Sequence, residues 1–279
     1  MISQLGLKLK RPGIWIPVFF LSLMQARLCG QVQWPGCASA ALGGAFVCLE
    51  GPLSSSQNQA GLGFTEHSSI SIQHGRPFLL EELGVSTLSG EFCTERGALG
   101  ILFSTLGLHG LRKSTFWLAY GQRLHPRVSA GLGLHFWNTS ILEQVLFAPG
   151  LSFALGLQAR IREQWKLGAR ILHPLVWERL RDAPGDRSMR IECGFSYSFF
   201  SVASLYAELH VHPGAPLIMC GGAEWILNRQ IRLRTGMRNE PLTFSWGILL
   251  AFKNCTVAFS CAYRSEMGLS PTSAFSYEW

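Results

Sequence analysis

The chain has 279 residues, of which 48% are hydrophobic and 15% charged, with 24 Lys and Arg against 17 Asp and Glu for a net charge of +7. Abundant apolar and aromatic residues exclude intrinsic disorder, and the lack of a Gly-X-Y period or of sustained heptads excludes collagen and coiled coil. The charged fraction lies well below the roughly 25% of an ordinary soluble domain.

The first predicted element is a targeting segment, residues 1–30. Lys8, Lys10 and Arg11 form a basic start, Ile14 to Met24 an apolar stretch, and Cys29-Gly30-Gln31 a small-residue cut site. This is the three-part pattern of a secretory signal peptide. Pro12 and Pro17 argue against a membrane helix, and lipidation at Cys29 is the alternative. Removing this segment with its four bases takes the net charge from +7 to +3. No clustered basic face is left to suggest a nucleic-acid partner.

Residues 31–64 come next. Gly43-Gly44 gives a backbone that passes close to neighbours or takes a positive φ. Asn58 suits a cap or turn, and Gly61 the end of a helical turn. From Ser68 onward the chain alternates with a period of two, large apolar residues on one face and Gly, Ser, Ala, Arg or Glu on the other. Polar turns such as His125-Pro126-Arg127 and Lys253-Asn254 close the segments, so neighbours are antiparallel.

The predicted strands are 68–74, 83–92, 97–106, 115–121, 127–137, 149–160, 165–173, 188–199, 201–212, 217–227, 230–238, 242–252, 254–264 and 272–279. The fold class is all-β, an antiparallel transmembrane β-barrel of about fourteen strands, with twelve as the alternative, over residues 65–279. Small residues opposite the apolar face indicate a crowded interior rather than a water-facing sandwich. Trp117, Tyr120, Phe136, Trp137, Trp165, Tyr197, Trp225, Trp246 and Tyr263 lie near strand ends, where interfacial girdles are expected. The last strand carries Phe275, Tyr277 and Trp279. This ending resembles the C-terminal targeting strand of bacterial outer-membrane barrels.

The stretch Ala38 to Glu50 followed by Asn58-Gln59-Ala60-Gly61-Leu62 resembles the opening of PorV/PorQ-type proteins of Bacteroidota, within the wider FadL-like barrel superfamily. Gln59 stands where those chains often carry Pro. The resemblance implies that residues 31–64, with Gly43, Gly44, Asn58 and Gly61, pack into the lumen as a plug. The alternative is that the motif simply begins the first strand. It further implies a bacterial outer-membrane location and a scaffold role in a secretion or assembly complex. The partners would be outer-membrane lipid and other outer-membrane or periplasmic proteins. A passive channel for small hydrophobic compounds is the alternative function.

Chemistry is sparse. The chain has no G-x-S-x-G, H-E-x-x-H or Walker motif, so an enzyme is not expected and an outer-membrane hydrolase is the least favoured reading. No cofactor is expected. His210 and His212 share a strand face, but no third metal ligand is indicated. The cysteines left after Cys29 include no C-x-x-C pair and read mainly as small apolar side chains, with one disulfide left open.

By strand parity Lys166, Arg170, Arg190, Glu192, Glu208, Glu224, Arg232, Arg234, Arg238 and Glu278 point inward, because a charge facing lipid is costly. Their mixed signs suggest a luminal salt-bridge network holding a plug. An anion-attracting pore is the rival. The longest predicted loop, near 174–187, holds Asp182 and Asp186, and offers Trp177, Arg179 and Arg181 to a partner.

Overall fold

The computed structural model describes residues 35–107, 111–141, 148–178, 189–200 and 202–279. Fourteen strands run in chain order: β1 (Ser69–Gly75), β2 (Val85–Thr94), β3 (Gly97–Leu106), β4 (Leu111–His125), β5 (Val128–Ile141), β6 (Ala148–Arg160) and β7 (Trp165–Glu178), followed by β8 (Arg190–Phe199), β9 (Ala203–Val211), β10 (Ile218–Ile226), β11 (Ile231–Arg238), β12 (Thr243–Phe252), β13 (Cys255–Arg264) and β14 (Gly268–Glu278). Each pairs antiparallel with its sequence neighbour, and β1 closes the ring on β14. Ser69 faces Glu278 on one side and Glu91 on the other.

Alternation does the sorting that the sequence pattern implies. In β1, Ile70 and Ile72 are exposed while Ser69, Ser71 and Gln73 are buried. Leu132, Leu134 and Phe136 of β5 face out, as do Leu155 and Leu157 of β6. The outer wall is thus a band of large apolar side chains, the face a barrel presents to hydrocarbon. Closure leaves no free sheet edge.

The two rims differ. Turns at 94–97, 125–128, 252–255 and the other even-to-odd connections are short, while longer connections gather at the opposite end. Transmembrane barrels carry short turns on the periplasmic side. Strands β4 to β7 are 13 to 15 residues long, and β4 and β5 outrun the predicted spans 115–121 and 127–137. The reason is a polar extension of the hairpin, where Arg112 pairs with Ser140 and Lys113 with Thr139. The hydrogen-bonded ladder continues there after the apolar alternation has ended.

Two expectations change. Trp177 does not lie in a loop: it is on β7, exposed and beside Phe153 at 6.3 Å between ring centroids. Arg179, Arg181, Asp182, Asp186 and the 1–30 segment fall outside the described residues. Trp117 and Trp137 are not girdle residues. They are 2% and 5% exposed and face inward, because each sits out of phase with the outward Phe116 and Phe136 beside it.

All seven cysteines from Cys37 onward are free thiols, so the disulfide left open by the sequence does not form. Burial first, then the nearby Glu208 carboxylate, pushes the Cys48 thiol up to about 12. We expect a maleimide at pH 8 to spare the buried Cys37 and Cys48 in the folded protein and to label both after denaturation. Mass spectrometry of the labelled peptides checks this, and equal labelling of the two before and after denaturation would contradict the arrangement.

Candidate functional site in the barrel lumen

Residues 35–64 run inside the barrel. A short helix, α1 (Cys37–Ala41), begins the path, and the Cys37 amide donates to Gln73 Oε1 on β1 at 2.9 Å. The chain then turns at Gly43 (φ 70°) and Gly44 (φ 94°), left-handed conformations that favour glycine. The Gly43 amide donates to Ser245 Oγ on β12 at 3.0 Å. Next, Phe46 and Val47 both donate their amides to Glu208 Oε2 on β9, at 2.7 and 2.9 Å. Glu50 follows near the short-turn rim and pairs with Arg160 at 2.9 Å and Lys166 at 3.0 Å.

The path then crosses the lumen. The Ser54 amide donates to Glu91 Oε1 on β2 at 3.1 Å. Asn58 caps the 3₁₀ turn Gln59–Phe64 by accepting from the Ala60 amide. Its Nδ2 donates to Val47 O at 2.7 Å and reaches Leu157 O at 3.3 Å. Gln59 is fully buried, and its Nε2 donates to Ser55 O at 2.9 Å, a bond that proline could not make. Gly61 lies so close to Ser54 that a Cβ would stand 2.8 Å from the Ser54 hydroxyl. A segment bonded to β1, β2, β9 and β12 touches opposite walls of a closed ring, so it occupies the interior.

The wall is shaped to receive it. A Cβ added at Gly131 would run into the Gln59 backbone, one at Gly156 into Asn58 Oδ1, one at Gly168 into Val47 O and one at Gly236 into Gly43 N. The small inward residues of the strand pattern are therefore the contact surface for the segment's main chain.

Among the described residues the inward charges pair at several places. Arg170 and Glu192, register partners on β7 and β8, pair at 3.3 Å with side chains 0% and 3% exposed. Arg234 and Glu224 are also register partners and pair at 2.6 Å. Arg238 donates to Glu240 O at 2.9 Å, and Arg190 is buried. Lys166 reaches the segment through Glu50. Arg232 and Glu278 are exposed on the short-turn side, because the strand ends before the interior closes around them. Phe275, Tyr277 and Trp279 all face outward.

Several lumen residues went unrecognised in the sequence. Glu91, fully buried, had no charged neighbour to mark it. On the loop side of the segment, Trp117, His135, Trp137 and His173 form an inward aromatic group. The His135 ring stacks on Trp117 at 4.1 Å and 10°, and lies 5.3 Å from the His173 ring. Arg170 stands 5.6 Å over Trp117. Beneath them Leu53, Leu102, Ala154 and Leu172 pack with Trp117 into an apolar cluster. Parity would have found Trp117, His135 and Trp137, which are out of phase with the outward apolar series, but not His173, which is in phase with the outward Trp165 and Leu167 and is turned inward where the β6–β7 register shifts and its φ is 55°. His210 is occupied by Glu208 at 2.7 Å, and among the described residues no group of three or more His, Cys, Asp or Glu is placed to hold a metal.

No protein-family model and no curated protein matches the sequence. Solved structures do match. The CymD monoaromatic hydrocarbon channel superposes with a TM-score of 0.68 at 14% identity, covering 88% of this chain and 97% of its own. The toluene transporter TbuX of Ralstonia pickettii gives 0.65 at 14%, covering 91% and 100%. The toluene transporter TodX of Pseudomonas putida gives 0.66 at 11%, covering 90% and 99%.

The chain has the fold of these channels. These likenesses overturn the scaffold expectation, because the three solved barrels just named are a hydrocarbon channel and two toluene transporters. The motif at residues 38–62 led to a secretion or assembly role that its short length does not carry. The likenesses do support the coarser part of the expectation, an all-β closed antiparallel barrel of fourteen strands.

Proposed function

We propose that the protein is a passive outer-membrane channel for small hydrophobic compounds. The observation that carries this reading is a fold shared with hydrocarbon channels over about nine-tenths of the chain. The inward aromatic group of Trp117, His135, Trp137 and His173 supports it, since with the apolar cluster beneath it this group lines part of the loop-side interior with rings and aliphatic side chains, the material that apolar solutes prefer to water. The inner segment narrows the path, which favours small solutes over bulk electrolyte.

Uptake of radiolabelled toluene by cells with and without the protein tests the reading. The expected result is faster initial uptake with the protein, and a further rise in a Trp117→Ala variant that removes part of the aromatic constriction. Equal rates with and without a correctly folded barrel would reject it.

A further inference from the structure

The outer wall carries a groove of about 650 Å³ spanning β10 to β1. That volume is within the range of small-ligand pockets, about 300–1,000 Å³. Its sides are outward residues such as Trp246, Leu233 and Phe259, and its base passes over the small side chains Thr235 and Cys261. No residue of the inner segment lines it, so it opens toward the membrane and not the lumen.

One end of this apolar groove is basic. His74 and Arg76 line it, and both are exposed on the outward side of the wall. The Arg76 amide donates to Pro271 O at 3.0 Å, which holds its backbone against β14. Strand β1 spans 7 residues. At about 3.4 Å per residue and a tilt near 40°, β1 rises about 18 Å from the short-turn rim, which sets Arg76 toward the loop-side edge of an apolar band about 25 Å tall. Among the described residues it has no ion-pair partner. A guanidinium turned toward hydrocarbon calls for an anion, and phosphate oxygens suit its donor fork.

We propose that this groove binds one phosphate-bearing membrane lipid of the loop-side leaflet, with an acyl chain lying along Trp246 and Phe259 and the phosphate on Arg76. Charge complementarity selects this occupant: an apolar slot ending in an unpartnered cation matches an anionic amphiphile. The site is independent of what crosses the lumen.

Native mass spectrometry of the protein in an uncharged detergent tests the site, with dioleoylphosphatidylglycerol, dioleoylglycerol and oleate as probes. The expected result is one retained phosphatidylglycerol per barrel, with dioleoylglycerol and oleate held far more weakly. Two variants probe opposite ends of the groove. Arg76→Gln removes the cation, and Thr235→Trp fills the slot from the lipid side. Each should weaken retention by about tenfold, with heat-modifiable migration confirming that the barrel has folded. Should one variant fail to fold, the other decides. Unchanged retention in a folded variant overturns the proposal. Retention of dioleoylglycerol at the level of phosphatidylglycerol overturns it in favour of unselective apolar contact, and preferential retention of oleate overturns it in favour of a free fatty acid.

Discussion

Gly236→Ala is expected to dislodge the inner segment while leaving the barrel closed. The added Cβ would occupy the position of Gly43 N and Leu42 C, which are main-chain atoms that no rotamer change can move aside. The strand itself tolerates alanine, because Gly236 is an ordinary ladder residue paired with Gly222 and Ser245. Overpacking of this kind costs about 1–3 kcal/mol. Here the cost falls on the docking of residues 42–44, so toluene uptake should rise several-fold and proteolysis should reach the segment. Gly221→Ala is the control, since its Cβ would meet nothing nearer than Tyr206 O at 4.0 Å. Unchanged uptake and protection in Gly236→Ala would mean that the wall does not hold the segment by close contact.

Glu208→Ala should have the largest single effect on the segment. One carboxylate oxygen accepts two main-chain amides, Phe46 and Val47, and the other meets His210 Nε2 at 2.7 Å. Truncation strands both amides in the interior, at about 1–3 kcal/mol each. The heat-modification temperature should fall and the segment should become protease-sensitive. Glu208→Gln keeps one oxygen for the two amides and should recover most of the loss. If Glu208→Ala matched the parent in both assays, the amide clamp would carry no weight.

The barrel was legible because a lipid-facing wall and a packed lumen impose opposite demands on alternate residues. Spans such as 254–264 therefore coincide nearly residue for residue with β13. What escaped had weaker local signals. Polar Arg112 and Lys113 hid the upper part of β4, although their main chains still pair. Trp117 and Trp137 drew the girdle reading by residue type, where parity pointed inward. Arg170–Glu192 and Arg234–Glu224 follow from hairpin register alone. Glu91 and Glu208 do not: they answer main-chain amides of a segment far away in sequence, and no side-chain pattern advertises an amide. The scaffold reading failed for a related reason. Residues 38–62 describe how a chain packs into a lumen, and that packing is compatible with more than one use of the barrel.

The anchors of the inner segment also set a chronology. Gln73 lies on the first strand, Glu208 on the ninth and Ser245 on the twelfth, so the receptor for residues 37–47 is complete only after most of the chain has paired. The portion nearest the N-terminus is thus the last to find its place. A barrel stalled before β9 and β12 have paired would keep that portion waiting without its carboxylate and hydroxyl acceptors. Occupation of the centre therefore follows assembly of the wall that carries its acceptors.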